Sequence, residues 1–300
     1  MGGYYKIMYV GSFISSIGQE IKVRATNGLF TRYVFTKKGN EPLVKRYMNV
    51  FIYYVLKNNS LSNLELLGDN IEITAEYNYY KNKRGMQPTQ DFKVVDDNRV
   101  IYLEIQTEID TKNPLFGRAI IYYALSITEA IGTTYEKTNQ LWLCVNCEDG
   151  IVDNSLAFEE YLFRGSITGK VYPKTSSITV IDLSKLSKSN LDFPAVRLAK
   201  YLVTLEYTQN SDIQDIVTHL QNSFDEIKKD KQRVIELEDY NIAHYEGRTE
   251  GRAEGISQGR AEEKSLIIKT LYSKLNNIDK LLELLPNFSK EEINKIIKGE

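Results

Sequence analysis

The sequence predicts an α/β protein, a mixed central sheet flanked by helices and followed by a helical tail. Three observations carry that expectation. Residues 90–106 alternate apolar and polar side chains on either side of a turn, the pattern of a β-hairpin. Apolar residues at three- and four-residue steps precede it from Asn40 and follow it from Leu115 to Ile131, the pattern of helices. After Glu246 the composition changes to regularly spaced Gly, Glu and Arg.

In chain order, residues 1–27 read as an N-terminal extension. Its stretch Ile7–Ile17 is broken by Ser12, Ser15 and Ser16 and is too short to span a bilayer. The helix from Asn40 places Leu43, Val44, Tyr47, Met48, Phe51, Ile52, Val55 and Leu56 on its buried side, with Glu41 in the first turn, where the helix dipole favours a carboxylate. Ile71–Tyr77 alternates and should be the strand before the hairpin. Tyr79–Gln90 is a loop in which Lys81, Lys83 and Arg84 interleave with Tyr79 and Tyr80, a composition that suits phosphate contact and base stacking as well as plain solvation.

In the hairpin, Phe92 and Val94 alternate with Lys93, and Ile101, Leu103 and Ile105 with Tyr102, Glu104 and Gln106. A turn centred on Asp97-Asn98 places Asp91 opposite Glu104. Like charges facing across a sheet are destabilising. Either water solvates them or a cation sits between them, and Mg²⁺ is characteristically held by one or two carboxylates with water and phosphate completing its shell. Gln106 and Lys93 belong to the same face.

Further strands are expected at Gln140–Asn146, Phe158–Phe163 and Ser177–Leu183, with Trp142 buried, and a helix at Leu191–Tyr207 closes the domain. On the helix after the hairpin, Arg118 and Tyr122 share a face, placing Arg118 either on a substrate phosphate or in an ion pair. Cys144 and Cys147 lack the second pair of ligands of a zinc site, and their spacing reads as a strand end with reduced thiols, which fits a cytoplasmic protein.

Gly247, Gly251, Gly255 and Gly259 recur every fourth residue beside rows of Glu and Arg. Glycine weakens a helix by about 1 kcal/mol per residue relative to alanine. The segment is thus either a hinge or a helix with a partner along its glycine stripe. Leu266–Leu285 and a last helix capped by Ser289 form a helical hairpin that needs a partner, the main domain or a second copy of the chain. The implied organisation is an extension (1–27), a main domain (28–207), a helical connector (208–245), the period-four segment (246–263) and the helical hairpin (264–300). The net charge of −2 gives no overall nucleic-acid footprint, so a nucleic-acid role needs a local basic surface.

Asp91, followed thirteen residues on by Glu104-Ile105-Gln106, resembles the Asp…Glu-x-Gln variant of the PD-(D/E)XK nuclease core. More narrowly the chain resembles the bacterial recombination-promoting nuclease/putative transposase family, through Leu29–Phe35, Asn40–Val44, Arg118–Tyr123, Gln140–Val145 and the Gly-Glu-Arg tail. The resemblance implies a restriction-endonuclease-like core and Mg²⁺-dependent (or Mn²⁺-dependent) endonucleolytic cleavage of DNA. It implies Asp91, Glu104 and the backbone carbonyl of Ile105 as metal ligands, Gln106 in the place of the usual lysine, and Glu41 as a further acidic candidate. Lys93 is a candidate substitute for the missing lysine. Arg118, Tyr122, Lys81, Lys83 and Arg84 are the candidate substrate contacts. Gln90 stands where the motif has proline. Because a neutral amide cannot supply an ammonium's charge, the alternative is a nuclease-like module that binds DNA or protein without cutting. A membrane role is not expected, and the tail leaves self-association open beside docking on the main domain.

Overall fold

The structure is a computed structural model describing residues 11–14, 20–23, 25–78, 89–97, 99–107, 114–131, 137–147, 150–162, 176–206, 212–237, 265, 268–273, 277–285 and 288–298. It divides into two compact units, 1–237 and 238–300.

The first described elements are a two-stranded antiparallel ribbon, β1 (Gly11–Ile14) and β2 (Glu20–Val23), in the segment read from the sequence as an extension open to strand formation. Val23 and Ala25 are buried in the main core. Two helices follow, α1 (Gly28–Phe35) and α2 (Glu41–Asn58). Asn27 caps α1 by accepting the Phe30 N–H at 2.9 Å. A proline in the first turn of α2 fits a position whose N–H has no helical partner.

The main sheet has six strands in the order β3-β4-β5-β6-β8-β7: β3 (Ile71–Asn78), β4 (Thr89–Asp96), β5 (Arg99–Gln106), β6 (Lys137–Cys144), β7 (Phe158–Tyr161) and β8 (Ser176–Asp182). β3, β4 and β5 are antiparallel; β5, β6 and β8 run parallel; β7 is an antiparallel edge. The parallel strands are buried almost throughout, as strands covered on both faces must be. α3 (Leu115–Ile131) makes the crossover from β5 to β6.

Each face of the sheet has its own core. Phe92, Val94, Ile101, Leu103, Leu141 and Ile181 pack with α1, α2, α5 (Pro194–Thr204) and α6 (Gln214–Lys229). Trp142, Cys144, Ile178 and Val180 point the other way, onto Leu115, Ala119 and Tyr123 of α3. Residues expected in a connector therefore join the first core: Ile216, Val217, Leu220, Phe224 and Ile227 of α6 are buried in it, and so is Leu237 beyond it. The short α4 (Leu183–Leu186), capped by Asp182, leads from β8 toward α5.

The second unit contains a helical stretch at 268–273, then α7 (Ile278–Leu284) and α8 (Lys290–Lys298), with Ile268, Leu281 and Ile293 buried. The single helix expected over Leu266–Leu285 is interrupted. Asn277 accepts from the Asp279 and Lys280 N–H groups and starts a new helix there. Ser289 and Glu292 form the expected reciprocal cap of α8: the Glu292 side chain accepts the Ser289 N–H at 2.8 Å, and Ser289 Oγ accepts the Glu292 N–H at 3.2 Å. The period-four segment lies outside the described residues. Among those described, no helix is long and apolar enough to cross a membrane.

Candidate active site

The β4–β5 register runs from Asp96↔Arg99 to Phe92↔Leu103, so the hairpin turns on two residues with Asp97 in the left-handed region at φ 53°. At the other end the ladder stops one pair short of Asp91 and Glu104, and their side chains take over the crossing. Glu104 Oε2 accepts the Asp91 N–H at 3.1 Å, and Asp91 Oδ2 accepts the Ile105 N–H at 2.8 Å. Each carboxylate is thus held by a backbone N–H of the facing strand, Glu104 by that of Asp91 and Asp91 by that of Ile105.

Glu104 is 7% exposed, and its pKa is raised well above the ordinary carboxylate value. Burial is the main cause and the neighbouring Asp91 carboxylate adds to it, while the Asp91 N–H and the Arg118 guanidinium pull the other way. Charge at this point calls for a cation. Two carboxylates suit a Mg²⁺ site that relies on water and phosphate for its remaining ligands, so the residues fit the ion that the resemblance implies. Among the described residues no third Asp, Glu, His or Cys completes a cluster around them. That separates Glu41 from the pair: it lies in the first turn of α2, and α2 covers the opposite face of the sheet. Ile105 sends its side chain into that opposite core while its backbone remains at the carboxylates.

Gln106 and Arg118 meet directly. Arg118 donates from Nη2 to Gln106 Oε1 at 2.7 Å, and its guanidinium carbon lies 5.5 Å from the centre of the Trp142 ring. Trp142 is in register with Glu104 on the neighbouring strand, fully buried, and donates its indole N–H to Gln140 Oε1 at 3.0 Å. Tyr122, one helical turn beyond Arg118, also packs on that ring, with centroids 5.8 Å apart. The indole therefore anchors both α3 candidates. Its burial was expected from the sequence, but its role as their platform was not, because that depends on which helix crosses β6.

Lys93 is 8% exposed and pairs with Tyr102, its Nζ 6.0 Å from that ring's centre. It lies one side-chain repeat closer to the turn than the carboxylates, roughly 7 Å along the strand. Lys81, Lys83 and Arg84 lie outside the described residues. Cys144 and Cys147 are free thiols, buried where β6 ends; burial first, then Cys147, Asp182 and Glu104, push the Cys144 pKa well up, so it is a poor thiolate.

Comparison of the chain with protein-family models, curated proteins and solved structures gave no match.

Proposed function

We propose that the chain is a metal-dependent DNA endonuclease of the PD-(D/E)XK type, similar to the recombination-promoting nuclease/putative transposase family and built on a restriction-endonuclease-like core. The observation that carries this reading is the interlocked pair Asp91 and Glu104, one of them buried with a raised pKa, at the open end of a hairpin in a mixed sheet. A structural role alone gives no reason to hold two carboxylates together there, since like charges across a sheet cost stability.

Asp91 and Glu104, with the Ile105 carbonyl beside them, would hold Mg²⁺ or Mn²⁺. When bound, that ion supplies charge stabilisation at the phosphate and a water of lowered pKa. The protein's own part is to fix the two carboxylates. Each spends one oxygen on a backbone N–H, which sets the direction of the other and avoids the entropy of positioning a free side chain. Keeping Glu104 buried also strengthens its attraction for a cation.

Free buried thiols fit a reducing, cytoplasmic setting. Among the described residues of the helical tail, Ile268, Leu281 and Ile293 are buried while Leu271, Tyr272, Ile296 and Ile297 are only partly so, a face that favours association with a second copy.

The test is plasmid nicking with Mg²⁺ or Mn²⁺. Wild type should convert supercoiled plasmid to open circles, and Asp91→Ala and Glu104→Ala should not. Equal rates in the wild type and the double variant would remove the assignment.

A further inference from the structure

A glutamine at position 106 leaves the proposed nuclease site without the ammonium that a lysine there would bring. We infer that Arg118, held by Gln106 and Trp142, supplies the missing positive charge to the scissile phosphate from α3. This rests on the nuclease reading and adds to it the source of the cation and a job for the glutamine.

The geometry favours Arg118 over the alternatives. Gln106 spends its acceptor oxygen on Arg118 Nη2 at 2.7 Å, so the amide fixes the guanidinium instead of acting on substrate with that atom. Trp142 lies 5.5 Å from the guanidinium carbon, within the range of an attractive cation–ring contact. These two contacts restrain a flexible side chain at the end of β5 that carries Glu104. A guanidinium has five N–H donors. One is used on Gln106, and the buried Nε has no hydrogen-bond partner among the described residues. No carboxylate there forms an ion pair with Arg118, so its charge is not already committed to one. Trp142 is in register with Glu104 on the neighbouring strand, so a guanidinium over that ring lies beside the carboxylate pair, and its charge pulls the Glu104 pKa down.

Lys93 is the competing cation. It is nearly buried against Tyr102 on the turn side of the carboxylates, whereas Gln106 and Arg118 are on the side where β4 and β5 part. Arg118, half-buried beside Gln106, is thus the cation on the side where β4 and β5 part.

The prediction is a transposable charge. In the full-length protein, Arg118→Ala should lower Mg²⁺-dependent nicking by about 100-fold or more, the usual effect of losing one charge-stabilising group. Adding Gln106→Lys to Arg118→Ala should recover at least about tenfold, because the lysine returns the charge to the strand. A purely structural arginine gives no such rescue. Arg118→Lys, which keeps charge but loses the planar fork, should fall between.

A second readout needs no metal. Trp142 is the only tryptophan in the chain, so its emission reports on the guanidinium beside it. Titrating the thymidine dinucleotide d(TpT) in EDTA should change the emission of wild type and leave that of Arg118→Ala flat. Wild type that nicks, with Arg118→Ala nicking within about threefold of it, overturns the arginine's role alone. So does a double variant no better than Arg118→Ala, or equal d(TpT) responses in wild type and Arg118→Ala. Wild type that fails to nick with either metal overturns the nuclease reading, and the catalytic role of Arg118 with it.

Discussion

At the turn of the β4–β5 hairpin, Asp96 is matched with Arg99; at its open end, Asp91 and Glu104 face one another. Asp96 accepts from Arg99 Nε at 2.7 Å and from the Gly68 N–H at 2.9 Å, and Arg99 is held further by Glu65 and the Leu66 carbonyl. A side chain on Gly68 would press on this group, since a Cβ there would lie 2.9 Å from Asp96 Oδ1. The open end sets two acids side by side, with the Arg118 guanidinium near enough to lower the Glu104 pKa. Within two strands the molecule thus pairs a buried carboxylate with a cation at one end and sets two carboxylates face to face at the other.

The largest effect should come at the structural end. Asp96→Ala leaves a nearly buried arginine without its principal partner and should cost about 3–5 kcal/mol in urea unfolding. An unchanged unfolding midpoint would erase the distinction between the two ends. Asp91→Ala should cost less stability than Asp96→Ala, because relief of the repulsion with Glu104 offsets the lost bond from the Ile105 N–H, yet lower nicking by at least about 100-fold, equivalent to roughly 2.7 kcal/mol of barrier. A loss of activity accompanied by an equal loss of stability would instead make Asp91 another Asp96.

Glu104 sharpens the contrast through pH. Its folded pKa is raised, so the folded state favours the protonated acid. That contribution to stability is present at low pH, below the unfolded pKa, and is lost as pH rises through the folded pKa. Without divalent ions, Glu104→Gln should therefore make the protein more stable than wild type at pH 8. The gain should shrink toward zero by pH 4. Thermal unfolding across that range checks it, and a variant less stable than wild type at pH 8 would show that the carboxylate is satisfied without a cation.

Much of this hairpin was legible in the sequence. Alternation and the Asp97-Asn98 turn fix a register in which positions summing to 195 pair, and the observed partners, Phe92 with Leu103 through Asp96 with Arg99, follow it. The sequence also marked α3 and placed Arg118 and Tyr122 on one face. It did not reveal that Gln106 and Arg118 bond to each other, because that contact depends on where a crossover helix lands on β6. Glu41 stands apart from the pair for a related reason: its place in a helix was readable, but the face of the sheet that helix covers was not. In the tail, Asn277 looked like an interior residue of an amphipathic run, and only its cap bonds expose the break.

The most direct test is calorimetric titration of Mg²⁺ into wild type, Asp91→Ala and Glu104→Gln near neutral pH, repeated in two buffers of different ionisation enthalpy. Wild type should bind one ion and release protons to the buffer as Glu104 is driven to its charged form, and both variants should lose that binding. Absence of binding to wild type, or binding that persists unchanged in Asp91→Ala, would contradict the claim that the open end of the hairpin is built for a divalent cation.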